Sequence, residues 1–222
     1  MQNYLDFREK INYEKIKEVA KCIKQGGIAV FPTETVYGIG VNGLNENAIK
    51  KLYEVKQRPE KKPISLLVNS LDMINKIAKD ITTVEYTLIE KFFPGPLTIV
   101  LKKKDIVPNI LTPGIDTVGI RMPENEIALK LIEYAGVPIA TSSCNISGKP
   151  SATNLQEIMK DFEGKVDYFI DNGPSKIGLA STVVQIIGGE PKILRQGYIT
   201  KDEIIKTLQQ AWILNHRKLY MQ

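Results

Sequence analysis

Short apolar runs alternate with amphipathic stretches of helical period along most of the 222 residues. That alternation restricts the fold to a sheet flanked by helices. IAVF from Ile28, the segments at 64–68, 97–101, 117–123 and 137–141, and later runs at 167–170, 182–187 and 192–195 have strand length. Helical spacing covers 13–25, 45–55, 71–79, 83–92 and 126–135, and further helices are predicted to open near Asn154 and after Thr200. The three late strands lie close together in sequence, which favours a mixed sheet over a purely parallel one. The expected class is α/β: a single domain with a twisted, mixed open sheet flanked by helices.

Local signals punctuate these elements. Gly26-Gly27 stops the first helix, and Asn45 can cap the second, which Pro59 prevents from continuing. Pro94-Gly95-Pro96 ends the helix at 83–92, while Thr153 with Gln156 and Thr200 with Glu203 have capping-box spacing. Ile204, Leu208, Ala211 and Trp212 form a stripe on the last helix, the pattern of a tail docked on the body.

The opening strand runs into Pro-Thr-Glu-Thr-Val-Tyr-Gly. Hydroxyls, a carboxylate, a phenol and a glycine at a strand end suit a ligand, and α/β sheets bind ligands beyond the carboxyl ends of their strands. A site is therefore expected at Thr33 to Gly38. Arg121, near the end of another predicted strand, wants an anion. Four loops share this chemistry: PTETVYG, KQRPEKK from Lys56 to Lys62, SSCNISGKPS, and GLAST with LRQG after it. Arginine forks, hydroxyls and loop amides together can bind phosphate. Neither G-x-x-x-x-G-K-[ST] nor G-x-G-x-x-G occurs, so a nucleotide site here is of another kind.

Composition narrows the chemistry. A net charge of +5 and a pI near 9.0 allow a polyanionic partner such as a nucleotide or nucleic acid. Cys22 and Cys144 are far apart and form no redox or zinc motif, which suits a reducing cytoplasm. No run approaches the roughly 18 apolar residues of a membrane span. His216 is the sole histidine, and Cys144 has no base beside it in sequence, so alignment and charge stabilisation are expected rather than a covalent nucleophile.

FPTETVYGIG, the K-x-R of KQRP, the S-x-N of SCNISG, DNGPSKIGLASTVV and ILRQGYIT occur in an order that resembles the YrdC/Sua5 family of threonylcarbamoyl-AMP synthases. The likeness runs over residues 13–200, taken as the catalytic domain, with 201–222 a helical tail. It implies a nucleotidyltransferase that joins L-threonine and bicarbonate or CO2 as N-carboxythreonine. The new carboxylate attacks the α-phosphate of ATP, releasing pyrophosphate and threonylcarbamoyl-AMP for t6A at adenosine 37 of tRNA. Magnesium would accompany the triphosphate, and downstream enzymes would transfer the threonylcarbamoyl group.

By position, the resemblance assigns threonine to Thr35, Arg121, Thr141 and Ser181. It assigns ATP to Arg58, Lys62, Thr117, Ser143, Asn145, Ser151 and Arg195, and catalysis to Lys56 and Arg58. Glu34 is expected to stand aside, because its carboxylate would repel a triphosphate. Leu67 replaces a histidine frequent in longer members, Lys62 replaces an asparagine, and a short form without the linker and second domain of the long members is expected. Two other functions fit part of the pattern. One is carbamoyl-adenylate chemistry with another acceptor, as in hydrogenase-maturation carbamoyltransferases. The other is a module that binds tRNA or other RNA without catalysis, although the basic loops lack an aromatic stacking platform.

Overall fold

The computed structural model describes residues 3–59, 61–146 and 154–219, with only the backbone of residues 157 and 214–219. Its ten-stranded sheet runs β1 (Asn3–Asp6), β8 (Tyr168–Asp171), β2 (Ala29–Phe31), β3 (Gly38–Asn42), β7 (Ile139–Ser143), β4 (Ser65–Leu67), β6 (Thr117–Arg121), β5 (Leu97–Lys102), β9 (Thr182–Ile187) and β10 (Glu190–Arg195). The pairs β1–β8, β2–β8, β4–β6 and β5–β9 are parallel, and the other five are antiparallel. The mixed sheet expected from the sequence is what forms.

Two strands are additional to those predicted. β1 is a short polar strand at the sheet edge, where one side needs no apolar alternation. β3 begins GIG, and glycine inside a strand ordinarily weakens it. Here the missing side chains are a packing requirement: a Cβ on Gly38 would sit 2.8 Å from Thr141 Cγ2, and one on Gly40 would meet Ile139 Cγ2 at 2.7 Å and Thr141 Oγ1 at 2.9 Å.

Seven helices are described: α1 (Tyr13–Lys24), α2 (Glu46–Val55), α3 (Leu71–Ile77), α4 (Thr83–Phe92), α5 (Glu126–Ala135), α6 (Leu155–Phe162) and α7 (Lys201–Leu219). Asn45 accepts a hydrogen bond from Ala48 N at 3.1 Å, as its position predicts. Glu203 Oε2 accepts from Thr200 N at 2.7 Å while Thr200 Oγ1 accepts from Glu203 N at 3.2 Å, completing the last capping box. Thr153, of the other predicted box, lies outside the described residues.

The pleat divides the strands between two cores. Ile28, Val30, Leu66, Leu97, Ile99, Val118, Ile120, Ala140 and Val184 pack on the side of α2, α3, α4 and α6. Ala29, Phe31, Leu67, Ile139, Tyr168 and Ile170 face α1 and α5. Within α1 the residues at helical spacing, Ile16, Val19, Ala20 and Ile23, are wholly buried, and each large one contributes about 1.5–3 kcal/mol of burial free energy. In the terminal stripe Ile204 is buried in the first core and Leu208 packs on it, but Trp212 is 62% exposed. Among the described residues no helix is long and apolar enough to cross a membrane.

Candidate active site

A cavity of about 580 Å³ lies against the sheet face that carries α1 and α5, over its strands β7, β4, β6, β5 and β9. Each of these strands supplies residues two apart: Thr141 and Ser143, Ser65 and Leu67, Gly119 and Arg121, Thr98 and Val100, Val183 and Gln185. Of their intervening neighbours, Leu66, Ile120, Ile99 and Val184 fill the opposite core, so strand alternation builds most of the floor, while Ser142 also borders the cavity. The site thus extends across a sheet face rather than standing only beyond strand ends, and Thr33 to Gly38 forms one wall.

Of the sequence-derived site residues, Thr35, Arg58, Thr117, Arg121, Thr141, Ser143, Ser181 and Arg195 all line this cavity. Three do not. Lys56 is 1% exposed and lies behind the wall, its Nζ donating to Ser143 O at 2.5 Å and Asn145 O at 2.6 Å. Asn145 stands behind Ser143, accepting its hydroxyl proton at 2.6 Å on Oδ1. Lys62 is exposed, although its carbonyl accepts from Arg58 Nε at 3.1 Å. Ser151 lies outside the described residues.

Two hydroxyl groups have their proton direction fixed by neighbours. Thr33 Oγ1 donates to Val36 O at 2.6 Å, so Thr35 Oγ1, 2.9 Å away, must be the donor between the two threonines. Thr141 Oγ1 donates to Ile139 O at 3.1 Å. A hydroxyl carries one proton and two lone pairs, so both threonines present only acceptors to the cavity. Gly38 and Gly40 keep the space in which Thr141 sits.

Positive charge is pooled nearby. Arg58 Nη2 donates to Pro63 O at 2.7 Å, and Arg195 grips Ser181 through its carbonyl at 2.8 Å and its hydroxyl at 3.0 Å. Desolvation, then the Arg121 and Arg58 charges, push the Arg195 guanidinium below its ordinary range, and burial does the same to Arg58. Cations that disfavour one another in a partly dry cavity favour a bound anion. Arg121 has a partner of its own: Nη2 lies 2.7 Å from Glu34 Oε1, and both residues are buried. Glu34 therefore does not point at a phosphate but neutralises an arginine.

Sequence reasoning missed Ser65, Thr98, Gln185 and Asp116 as lining residues, whereas Tyr37 lies in the corner where a site was expected. For Ser65, Thr98 and Gln185 the signal was present as polar residues alternating with core positions on short strands. Asp116 is the cavity's lining carboxylate, and among the described residues no group of three or more His, Cys, Asp or Glu side chains forms a metal site. Cys144 is buried, and burial pushes its thiol up, which removes it as a nucleophile.

Residues 21–197 match the family model Sua5_yciO_yrdC, described as telomere recombination. The chain is 45% identical over 209 residues to a Pyrococcus abyssi protein named threonylcarbamoyl-AMP synthase, covering 94% of this chain and 62% of that one. A Bacillus subtilis protein of the same name is 39% identical over 194 residues, covering 87% and 56% respectively. The chain thus spans about six-tenths of the length of these relatives. The crystal structure of P. abyssi Sua5 complexed with L-threonine superimposes with a TM-score of 0.89 at 45% identity, over 92% of this chain and 60% of that one. A sheet-face cavity walled by the PTETVYG corner, together with the match over 21–197, places the chain in the Sua5/YciO/YrdC family.

Proposed function

We propose that this chain is an L-threonylcarbamoyladenylate synthase, forming threonylcarbamoyl-AMP and pyrophosphate from L-threonine, bicarbonate or CO2, and ATP. The observation that carries the reading is a single cavity holding both kinds of recognition chemistry. Arg58, Arg121 and Arg195 open on it with two acceptor-only threonine hydroxyls. An amino acid needs acceptors for its N–H groups and a cation for its carboxylate, and a triphosphate needs further cations. The relatives' names and the bound L-threonine of the P. abyssi structure support the same substrate.

In this mechanism Thr35 and Thr141 accept N–H hydrogen bonds from the amine. As the C–N bond to the carboxyl carbon forms, nitrogen loses a proton to solvent, and the one N–H left on the carbamate donates to one of the two hydroxyls. Arg121 holds the amino-acid carboxylate, with Ser181 beside it. The carbamate oxygen then attacks the α-phosphorus, a P–O bond forms, and the bond to the pyrophosphate oxygen breaks. Arg58 and Arg195 neutralise charge on the phosphates as the leaving group develops, with Thr117 and Ser143 as hydrogen-bonding contacts to the nucleotide. Preorganised cations of this kind act without reorganising at the moment of reaction. Lys56 and Asn145 hold the Ser143 segment in place from behind, so their contribution is positioning. Lys62 and Ser151 are the remaining nucleotide contacts of this reading.

Magnesium belongs here to the substrate, travelling with the triphosphate, and Asp116 is the residue available to receive it. The product is a reactive mixed anhydride, which suits delivery to an enzyme that transfers the threonylcarbamoyl group to tRNA. The test is pyrophosphate release by the purified protein with ATP, threonine and bicarbonate. Release above a threonine-free control is expected. Equal release with and without threonine would instead favour another acceptor, and tight tRNA binding with no response to ATP would favour an RNA-binding module.

A further inference from the structure

Behind the cavity wall, three hydrogen-bonding side chains from distant parts of the sequence meet at one loop. Asp171, the last residue of β8, is 1% exposed. Its Oδ2 accepts from Tyr4 OH at 2.7 Å, with Arg8 Nε 4.0 Å away, and its Oδ1 accepts from Gly173 N at 2.9 Å. Tyr37, wholly buried and itself lining the cavity, gives its single proton to Gly173 O at 2.7 Å in preference to Asp171 Oδ1 at 3.3 Å. The same phenol oxygen accepts from Asn172 N at 3.1 Å. The start of the loop after β8 is thus held on its N–H and C=O groups at once.

The remainder of that loop is laid on the opening corner. Ile177 N donates to Glu34 O at 2.8 Å and Gly178 N to Thr35 O at 2.9 Å. The loop then delivers Ala180 and Ser181 to the cavity, where Ser181 meets Arg195 and Thr98. Corner and loop form one wall, and the backbone that carries Thr35 is braced by the segment that carries Ser181. Buried networks whose members are satisfied rigidify what they hold.

We infer that Tyr37 and Asp171 are positioning residues for the amino-acid pocket, acting through residues 172–181, and that the edge strand β1 braces them through Tyr4. This role is distinct from contact with either substrate. It rests on the proposed reaction only for its kinetic consequence, since the bracing itself is a property of the backbone.

The test uses the full chain with Tyr37→Phe, Asp171→Asn and the milder Tyr4→Phe, which alters a residue that is 40% exposed. Two readouts are taken: threonine and ATP KM with kcat in the pyrophosphate assay, and amide hydrogen exchange at Ile177 and Gly178. Tyr37→Phe and Asp171→Asn are expected to raise threonine KM about tenfold, equivalent to about 1.4 kcal/mol, with ATP KM and kcat within about twofold, and Tyr4→Phe is expected to follow more weakly. Exchange at Ile177 and Gly178 is expected to accelerate in the same order. Unchanged exchange at these amides in folded variants overturns the inference whether or not the enzyme assay works. Unchanged threonine KM alongside faster exchange overturns the kinetic role. A wild-type protein with no threonine-dependent turnover counts against the proposed reaction instead, and the exchange result then decides the bracing alone. Should the two buried variants fail to fold, Tyr4→Phe carries both readouts.

Discussion

The Glu34 carboxylate lies 2.7 Å from the Arg121 guanidinium, at 3% and 7% exposure, yet the two are not aligned as a hydrogen bond. Both Glu34 oxygens and Arg121 Nη2 have no hydrogen-bond partner, while Arg121 Nε donates to Gly95 O at 3.1 Å. The distance provides Coulomb attraction, and the poor alignment leaves hydrogen-bonding capacity on the arginine for a ligand. Removing one member of a buried pair costs about 3–5 kcal/mol because the other is left uncompensated. Glu34→Gln is therefore expected to lower Tm. Because threonine would bring a carboxylate to the orphaned Arg121, the Tm rise on adding threonine should exceed that of the wild type. Thermal denaturation with and without threonine checks both, and an equal or smaller rise would separate Arg121 from carboxylate recognition.

Arg58→Ala should remove turnover while the fold persists. Its side chain donates to the nearby carbonyls of Lys62 and Pro63, meets the Tyr53 hydroxyl, and borders the cavity. Loss of one preorganised charge-stabilising group costs roughly 100- to 1,000-fold in kcat. Steady-state kinetics and circular dichroism measured together provide the check; a variant that unfolds would make Arg58 a structural residue.

Lys56 gives a pH signature. Burial, the largest cause, pulls its ammonium down to about 8 from an ordinary 10.5, with Cys144 opposing the shift and the Arg58 charge adding to it. Between those pH values the unfolded chain holds the proton and the native chain does not, so this group makes stability rise with pH across that window. At roughly 1.4 kcal/mol per pH unit the total is about 3 kcal/mol. The wild type should therefore gain stability relative to Lys56→Met as pH rises from 8 to 10, measured as the difference in denaturant midpoints. A difference that stays flat over that range contradicts the assignment.

Gly40→Ala should damage threonine binding in particular. The added methyl would meet Thr141 Oγ1 at 2.9 Å and Ile139 Cγ2 at 2.7 Å, and overpacking of this kind costs about 1–3 kcal/mol. Relief by moving Thr141 removes one of the two acceptor-only hydroxyls. Threonine KM is expected to rise by about tenfold or more while ATP KM holds; equal increases in both would indicate general distortion of the sheet.

Much of this was legible in the residues. Asn45 and the Thr200–Glu203 pair cap the helices they were expected to cap, because capping depends on local geometry. The mixed sheet followed from the order of apolar runs. β3 was hidden because Gly38 and Gly40 look unfavourable until Thr141 is known to lie opposite, a pairing across a hundred residues. β1 was hidden because an edge strand needs no apolar face. The partner of Arg121 was also out of reach: nothing in local sequence says that Glu34, in the corner after β2, turns inward to meet a residue at the end of β6. The depth of Lys56 behind Ser143 is likewise a tertiary fact, since a lysine in KQRPEKK otherwise reads as solvated.

The most direct measurement is the mass of the nucleotide product formed from ATP, L-threonine and 13C-bicarbonate. The expected result is an adenylate carrying threonine and one labelled carbon, formed together with pyrophosphate and absent when threonine is omitted. AMP or ADP alone, or an adenylate lacking the labelled carbon, would contradict the proposed synthesis of threonylcarbamoyl-AMP.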